Sequence, residues 1–311
     1  MGRYLLKRLI LLVPTVLGVL TLVFLFRPLI PGDPIDFMLG ETAQPADRAS
    51  LRHAFHLDRP LHEQYLIFLR QALCGDLGQS IHARRPVKRM IAERIPATVE
   101  LTLAAALVAV LIAVPAGVLS ALHKDSWVDN GAMLFAMLGV AMPNFWLGPL
   151  LIMFFSIYLG WFPVSGHGGL AHLVLPALTL GTAMAAILTR MTRSSMLEVL
   201  KEDYITTARA KGLSERVVIW KHAFRNGCIP ILTLVGLQLG GLLAGSIITE
   251  TIFSWPGIGR LTITAIYSRD YPLLQGCVIT ISFTYILINL LTDLAYGLSD
   301  SRIRLGREPV A

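Results

Sequence analysis

Cysteine is scarce in this chain. Cys74, Cys228 and Cys277 stand far apart, are odd in number and show no Cys-x-x-Cys spacing, so they encode neither a disulfide framework nor a thiolate metal site. Charge is scarce too: 15% of residues are charged against 54% hydrophobic, with a mean hydropathy of +0.63, which excludes an ordinary soluble domain. No glycine is followed by lysine, so there is no phosphate-binding Gly-x-x-x-x-Gly-Lys-Ser/Thr loop, and any ATP must be bound by a separate subunit. His62-Glu63 starts a zinc-protease pattern, but Leu66 occupies the place of the second histidine. The eight histidines, His53 and His56 among them, are otherwise scattered, giving no metal set. No nucleophile stands in a hydrolase motif, so no catalytic residue is assigned. Low-complexity tracts and 20–50-residue repeats are also missing, which leaves a duplicated transporter architecture without support.

What the chain has is apolar length. A bilayer crossing needs about 20 apolar residues, and six runs qualify: Leu9–Phe26, Leu101–Leu122, Gly131–Phe162, Leu173–Thr189, Gly227–Thr249 and Tyr271–Thr292. The expectation is an all-α polytopic membrane protein with six transmembrane helices. The first run follows Arg3, Lys7 and Arg8 but exceeds a signal peptide's apolar core and lacks a small-x-small cleavage site, so it reads as a retained span. The third is long and holds Pro143 and Pro149, which calls for a kinked or tilted helix or an added interfacial turn.

Six spans put both termini on one side, and the basic residues choose which. The net charge of +7 would suggest nucleic acid in a soluble chain, but here the excess is confined to particular loops. With the termini inside, fifteen of the 27 Lys and Arg residues are cytoplasmic, eight of them between Arg190 and Arg225. The two short outer loops carry only Arg260 and Arg269. The remaining ten lie in one long, nearly neutral outer segment, Arg27–Arg94. There Leu61, Tyr65, Phe68, Leu69 and Leu73 follow Pro60 at helical spacing, and Val87, Met90, Ile91 and Ile95 follow Pro86. Breaks at Pro31-Gly32-Asp33-Pro34 and Gly75-Asp76-Leu77-Gly78 complete a small helical extracytoplasmic insertion, its apolar faces packed on one another or on the spans. The expected organisation is 1–30 (amino terminus and first span), 31–96 (insertion), 97–297 (five-helix core) and 298–311 (cytoplasmic tail).

Between the fourth and fifth spans, about 193–226, lies a polar inside loop. From Arg190 the pattern reads as a helix through Met196-Leu197-Glu198-Val199-Leu200 that stops at Gly212, with Arg209 and Lys211 at its negative end. A second helix starts at Ser214, whose hydroxyl caps it, with Glu215 in the first turn and Leu213 and Val218 in the staple positions. Val217, Trp220, Lys221 and Phe224 form the amphipathic stripe that follows. A basic loop resting on anionic lipid is the plain alternative.

Thr206-Thr207-Ala208 with Gly212, then Arg225-Asn226 and Ile229-Pro230, resembles the coupling-loop ("EAA") signature of ABC importer membrane subunits. The variant is that of the dipeptide, oligopeptide, glutathione and nickel permeases, in which threonines replace the leading Glu and Ala and Pro230 lies farther from the glycine. The same family is echoed by Arg3-Tyr4-Leu5-Leu6-Lys7-Arg8, Pro31-Gly32-Asp33-Pro34, Arg94-Ile95-Pro96-Ala97-Thr98, Met142-Pro143-Asn144-Phe145, Thr189–Met196, Ser254–Arg260 and Asp300-Ser301-Arg302-Ile303-Arg304. The long first outer loop resembles the larger, B-type permease. The resemblance implies a type I importer fold in a bacterial inner membrane. It also implies a C-type permease partner, two ATP-binding subunits and an extracytoplasmic solute-binding protein. No cofactor is bound by this chain; ATP and Mg belong to the partners. Thr206, Thr207, Ala208, Arg209, Lys211, Gly212, Leu213 and Ser214 become the ATPase-coupling residues, and the solute a dipeptide, oligopeptide, glutathione or nickel chelate.

Polar groups at membrane depth are candidates for a pathway or gate: Asn144, Gln238, Glu250 and Asp293. Glu250 and Asp293 suit an interface equally well, and Asn144 suits the backbone group freed by a proline. Gly236-x-x-x-Gly240 and Gly241-x-x-x-Gly245 offer close approach to a partner or sister helix. Trp161-Phe162-Pro163 and Trp255-Pro256-Gly257 fit outer interfacial belts and are alternatively contacts for a docked binding protein, Trp255, Pro256 and Gly257 being the candidates for that contact. Two rival classes are an ion-coupled secondary transporter, for which only Glu250 and Asp293 supply acidic relay groups, and a membrane receptor or scaffold, which needs no force-bearing loop.

Overall fold

Backbone groups in hydrocarbon have no water to bond, so long apolar runs satisfy them internally as helices. The computed structural model describes residues 2–29, 52–53 and 58–299, whose regular structure is helical, with one isolated bridge, Gln79–Pro86, outside the helices. In chain order the helices are α1 Gly2–Leu29, α2 Leu61–Leu73, α3 Val87–Ala92, α4 Ile95–Leu122, α5 Trp127–Ala141 and α6 Asn144–Leu151, the last continued by a π-helical stretch, Ile152–Tyr158. There follow α7 Leu170–Val199, α8 Asp203–Ala210, the short α9 Glu215–Val217 with a second π stretch Val218–Ala223, α10 Phe224–Gly245, α11 Ile247–Ile252, α12 Ile258–Tyr267 and α13 Tyr271–Ser299. Of the anticipated runs, four fall on helices long and apolar enough to cross a bilayer, and the first lies in α1. Pro31–Pro34 and the tail from Asp300 lie outside the described residues.

The third run is the one that departs from a single crossing. Helix α5 ends at Ala141, Pro143 is the N-cap of α6, and the two halves meet at 104°. A residue before proline is driven out of the helical region, and Met142 is extended (ψ 112°), so the bend sits there. Pro149 is carried inside α6.

The chain divides into two compact units. The first covers 99–255 and the last helix from residue 287. Its core is built from small side chains: Ala106, Ala109 and Ala113 of α4 meet Met184, Ala185 and Leu188 of α7 and Ile231 of α10. Gly236 lets α10 approach its sister α13, because a Cβ there would lie 2.7 Å from Thr292; at Gly241 nothing lies within 4 Å. The second unit covers 2–98 and 256–286. Pro60 and Pro86 are the N-caps of α2 and α3, and Gly75 ends α2 in the left-handed region. Val87 and Ile91 of α3 pack on Ile258, Leu261 and Ala265 of α12 and on Leu273 and Cys277 of α13, while Phe24 of α1 meets Tyr65 and Phe68 of α2. The insertion's apolar faces are thus spent on helices of its own unit. Buried Asp270 fastens the arrangement by accepting from Ser80 Oγ at 2.5 Å and from the Leu273 amide at 3.2 Å.

Candidate functional site

The polar loop is built on the carboxyl-terminal end of α7. The sequence suggests one helix running to Gly212, but α7 stops at Val199, and residues 200–202 turn the chain into a separate helix, α8. Helix α8 closes with both Schellman hydrogen bonds, Leu213 N–H to Ala208 O at 3.4 Å and Gly212 N–H to Arg209 O at 2.9 Å. Gly212 has φ +76°, a left-handed conformation that glycine adopts without a Cβ clash. Ser214 is the N-cap residue of α9 by position, yet its hydroxyl makes no cap bond; its carbonyl instead accepts from Val217 and Val218. Glu215 turns to Arg209 across the glycine in a two-pronged ion pair of 2.8 and 3.2 Å.

One face of this loop is anchored and the other presented. Ile205 and Ala208 are buried with Val118, Ala121, Met196, Val218 and Ala223. The stripe predicted at Val217 is shifted by the π register: spacing of five puts Val218 and Ala223 inward, both fully buried, and leaves Val217 exposed. Trp220 stays paired with Phe224 at 5.4 Å. Ser195 Oγ donates to Gly227 O at 2.8 Å, tying α7 to α10 beneath the loop. Outward stand Thr206, Thr207, Arg209, Lys211, Gly212, Leu213 and Ser214, all exposed.

The other anticipated residues are dispersed. Asn144 opens α6 just after the bend and is half-buried, as is Gln238 in α10. Glu250 is fully buried and accepts from Ser246 Oγ at 2.8 Å, in the break between α10 and α11. The side chain of Asp293 lies outside the described residues. Trp255 is fully buried beneath the ring of His167, centroids 4.5 Å apart, so its indole is not presented to a docked protein; Pro256 is half-buried and Gly257 buried. Of the two outer tryptophans, Trp161 is the exposed one. No group of three or more metal-ligating side chains occurs among the described residues.

Two contacts escape sequence reasoning. His167 Nε2 lies 3.1 Å from Glu100 Oε2. Asp129, in the first turn of α5, receives Arg193 Nε and Nη2 of α7, both at 2.6 Å. Ser126-x-x-Asp129 reads as a helix start, and Arg193 belongs to the family-like run, but nothing in the sequence joins them.

Long apolar helices carrying a polar helix pair anchored to their ends make this a membrane protein with one face of that loop exposed. The chain belongs to the family described as binding-protein-dependent transport system inner membrane component, matched over residues 113–305, with that family's N-terminal component matched over residues 1–102. It is therefore an ABC importer permease, a membrane subunit. It is 45% identical to the di/tripeptide transport system permease protein DppB of Pseudomonas aeruginosa and 45% identical to the glutathione transport system permease protein GsiC of Salmonella choleraesuis, in each case over 98% of this chain and 99% of the relative. Its fold resembles the inward-facing MetNI methionine ABC transporter (TM-score 0.58, 15% identity, 68% of this chain and 96% of that one). It also resembles an amino acid ABC transporter solved with histidines (TM-score 0.50, 18% identity, 69% and 94%).

Proposed function

We propose that this permease imports short peptides delivered by an extracytoplasmic binding protein, in a complex with a second, C-type permease and two ATP-binding subunits. Near-full-length identity to a di/tripeptide permease supports the solute class. The coupling reading rests on one observation above others: a protrusion with its apolar side locked to three membrane helices and its polar side exposed. Both termini and this loop are cytoplasmic, as the basic residues direct. ATP binding and hydrolysis in the partners push on α8 and Gly212, and the spans move between two access states. Thr206, Thr207, Arg209, Lys211, Gly212, Leu213 and Ser214 form the contact with the ATPase, while Ala208, expected in that contact, faces the buried cluster instead. Asn144, Gln238, Glu250 and Asp293 line or gate the pathway, and Pro256-Gly257 borders the surface the binding protein meets.

Uptake into proteoliposomes holding the complete complex tests this. With the cognate binding protein, ATP should drive accumulation of a labelled dipeptide, and competition by unlabelled dipeptide should exceed that by glutathione. Glutathione is the second reading, favoured by equal identity to a glutathione permease. Preferential accumulation of glutathione or of a nickel chelate would replace the peptide assignment, and ATP-independent uptake driven by an ion gradient would overturn the importer reading for this chain.

A further inference from the structure

The Asp129 carboxylate has every acceptor direction taken. Arg193 approaches with a fork, Nε to Oδ1 and Nη2 to Oδ2, both 2.6 Å; Ser120 Oγ of α4 donates to Oδ1 at 2.5 Å, and the Asp125 amide donates to Oδ2 at 2.9 Å. Asp125 stands in the left-handed region at φ +62°. The carboxylate is 3% exposed and the guanidinium chain 25%. One side chain therefore ties the end of α4, the α4–α5 turn and the start of α5 to the inner part of α7.

Around this tie the inner helix ends are close-packed. A Cβ on Gly117 of α4 would lie 2.5 Å from Thr192 of α7, one residue before Arg193. Ser195 bonds Gly227 of α10, and Met196 shares a buried cluster with Ile205 and Ala208 of α8. Helices α4, α7, α8 and α10 thus meet as one block. Helix α5 joins that block through packing and through Asp129. Farther along, α5 packs closely on α7 at Gly139, where an added Cβ would sit 3.0 Å from Ala186 and 3.4 Å from Thr182 O. Asp129 adds directional bonds, one from Ser120 of α4 and the fork from Arg193 of α7, and α5 leads straight to the 104° bend at Met142-Pro143.

We propose that Asp129 and Arg193 are positioning residues for energy coupling: their forked ion pair carries displacement of the α8–Gly212 loop through α7 into α5 and the bent third span. The inference rests on the coupling reading above. A push on α8 reaches α7 across residues 200–202 and through the buried cluster of Ile205, Ala208 and Met196, and the fork passes it on to α5 without slip. A bidentate charge-assisted pair holds both separation and angle, which a point charge does not.

The test uses the complete complex in lipid nanodiscs or proteoliposomes, with Asp129→Asn and Arg193→Lys compared to wild type. Two quantities are read: labelled dipeptide transported per ATP hydrolysed, and stimulation of ATPase by loaded binding protein. The expected result is a complex recovered in normal yield, with basal ATPase within about twofold of wild type and solute moved per ATP lowered tenfold or more. Arg193→Lys, which keeps the charge but loses the fork, should fall between Asp129→Asn and wild type. An unchanged transport-to-ATP ratio in both variants overturns the proposal. Failure of both to assemble also overturns it, because the pair is then a folding lock alone. If wild type itself shows no ATPase subunit or no stimulation, it is the coupling reading that fails.

Discussion

Asn226 and Tyr204 meet across the foot of the polar loop, where the Asn226 amide donates to the Tyr204 hydroxyl at 2.8 Å. The same amide also reaches His222 O at 3.2 Å. One short bond thus joins the start of α8 to the start of α10, fixing the angle at which the protrusion leaves the membrane helices. Tyr204→Phe removes this bond alone, at a cost of about 1 kcal/mol, the usual net value of a neutral hydrogen bond. Amide exchange in 203–211 should quicken by up to about fivefold, while the exchange of α4 amides stays as in wild type. Unchanged exchange in both segments would show that the hydrophobic cluster alone fixes the loop.

Gly212 separates backbone strain from crowding. At φ +76° with nothing within 4 Å of an added Cβ, a side chain there meets no neighbour and incurs only the left-handed penalty, about 1–2 kcal/mol for alanine. Asparagine tolerates this region better and valine worse. The yield of complex carrying ATPase subunits should fall in the order Asn, Ala, Val. Equal yields for all three would remove the glycine's conformational role.

The two Gly-x-x-x-Gly pairs predict opposite outcomes. Gly236→Leu forces α10 and α13 apart at Thr292, and overpacking of this kind costs about 1–3 kcal/mol or more, so the purified permease should melt lower. Gly241→Leu meets open space in this chain, and its melting temperature should match wild type. A lowered value for both variants would mean that the α10 surface at Gly241 is closed within the subunit.

Orientation can be read with a native thiol. Cys74 is exposed and Cys277 buried, while Cys228 is partly covered. In intact cells with a permeabilised outer membrane, an impermeant maleimide should label Cys74, and a Cys228→Ser, Ser214→Cys variant should gain no label until the inner membrane is opened. Labelling of position 214 from outside would invert the topology.

Much of the fold is legible in the sequence because hydrocarbon imposes it: apolar length forces helices, and Gly75, Gly212, Pro60 and Pro86 mark ends that depend on local backbone chemistry. Register is less legible. The π stretch at Val218–Ala223 moves the buried stripe by one residue, and the break at 200–202 carries no glycine or proline to announce it. The sharpness of the bend at Met142-Pro143 depends on what α5 and α6 each pack against. Least visible are the long-range pairs: Asp129 with Arg193 and His167 with Glu100 are 64 and 67 residues apart, and Trp255 reads as an interfacial aromatic until His167 is seen over it.

Under the proposed function, the exposed face around Gly212 receives the ATPase. A photo-crosslinking amino acid at Leu213, 40% exposed beside the glycine, tests it in the assembled complex in native membranes. Position 213 should crosslink to an ATP-binding subunit, with a yield that changes when nucleotide is added. A complex that transports normally yet crosslinks at position 213 only to lipid, or to no other protein, would contradict it.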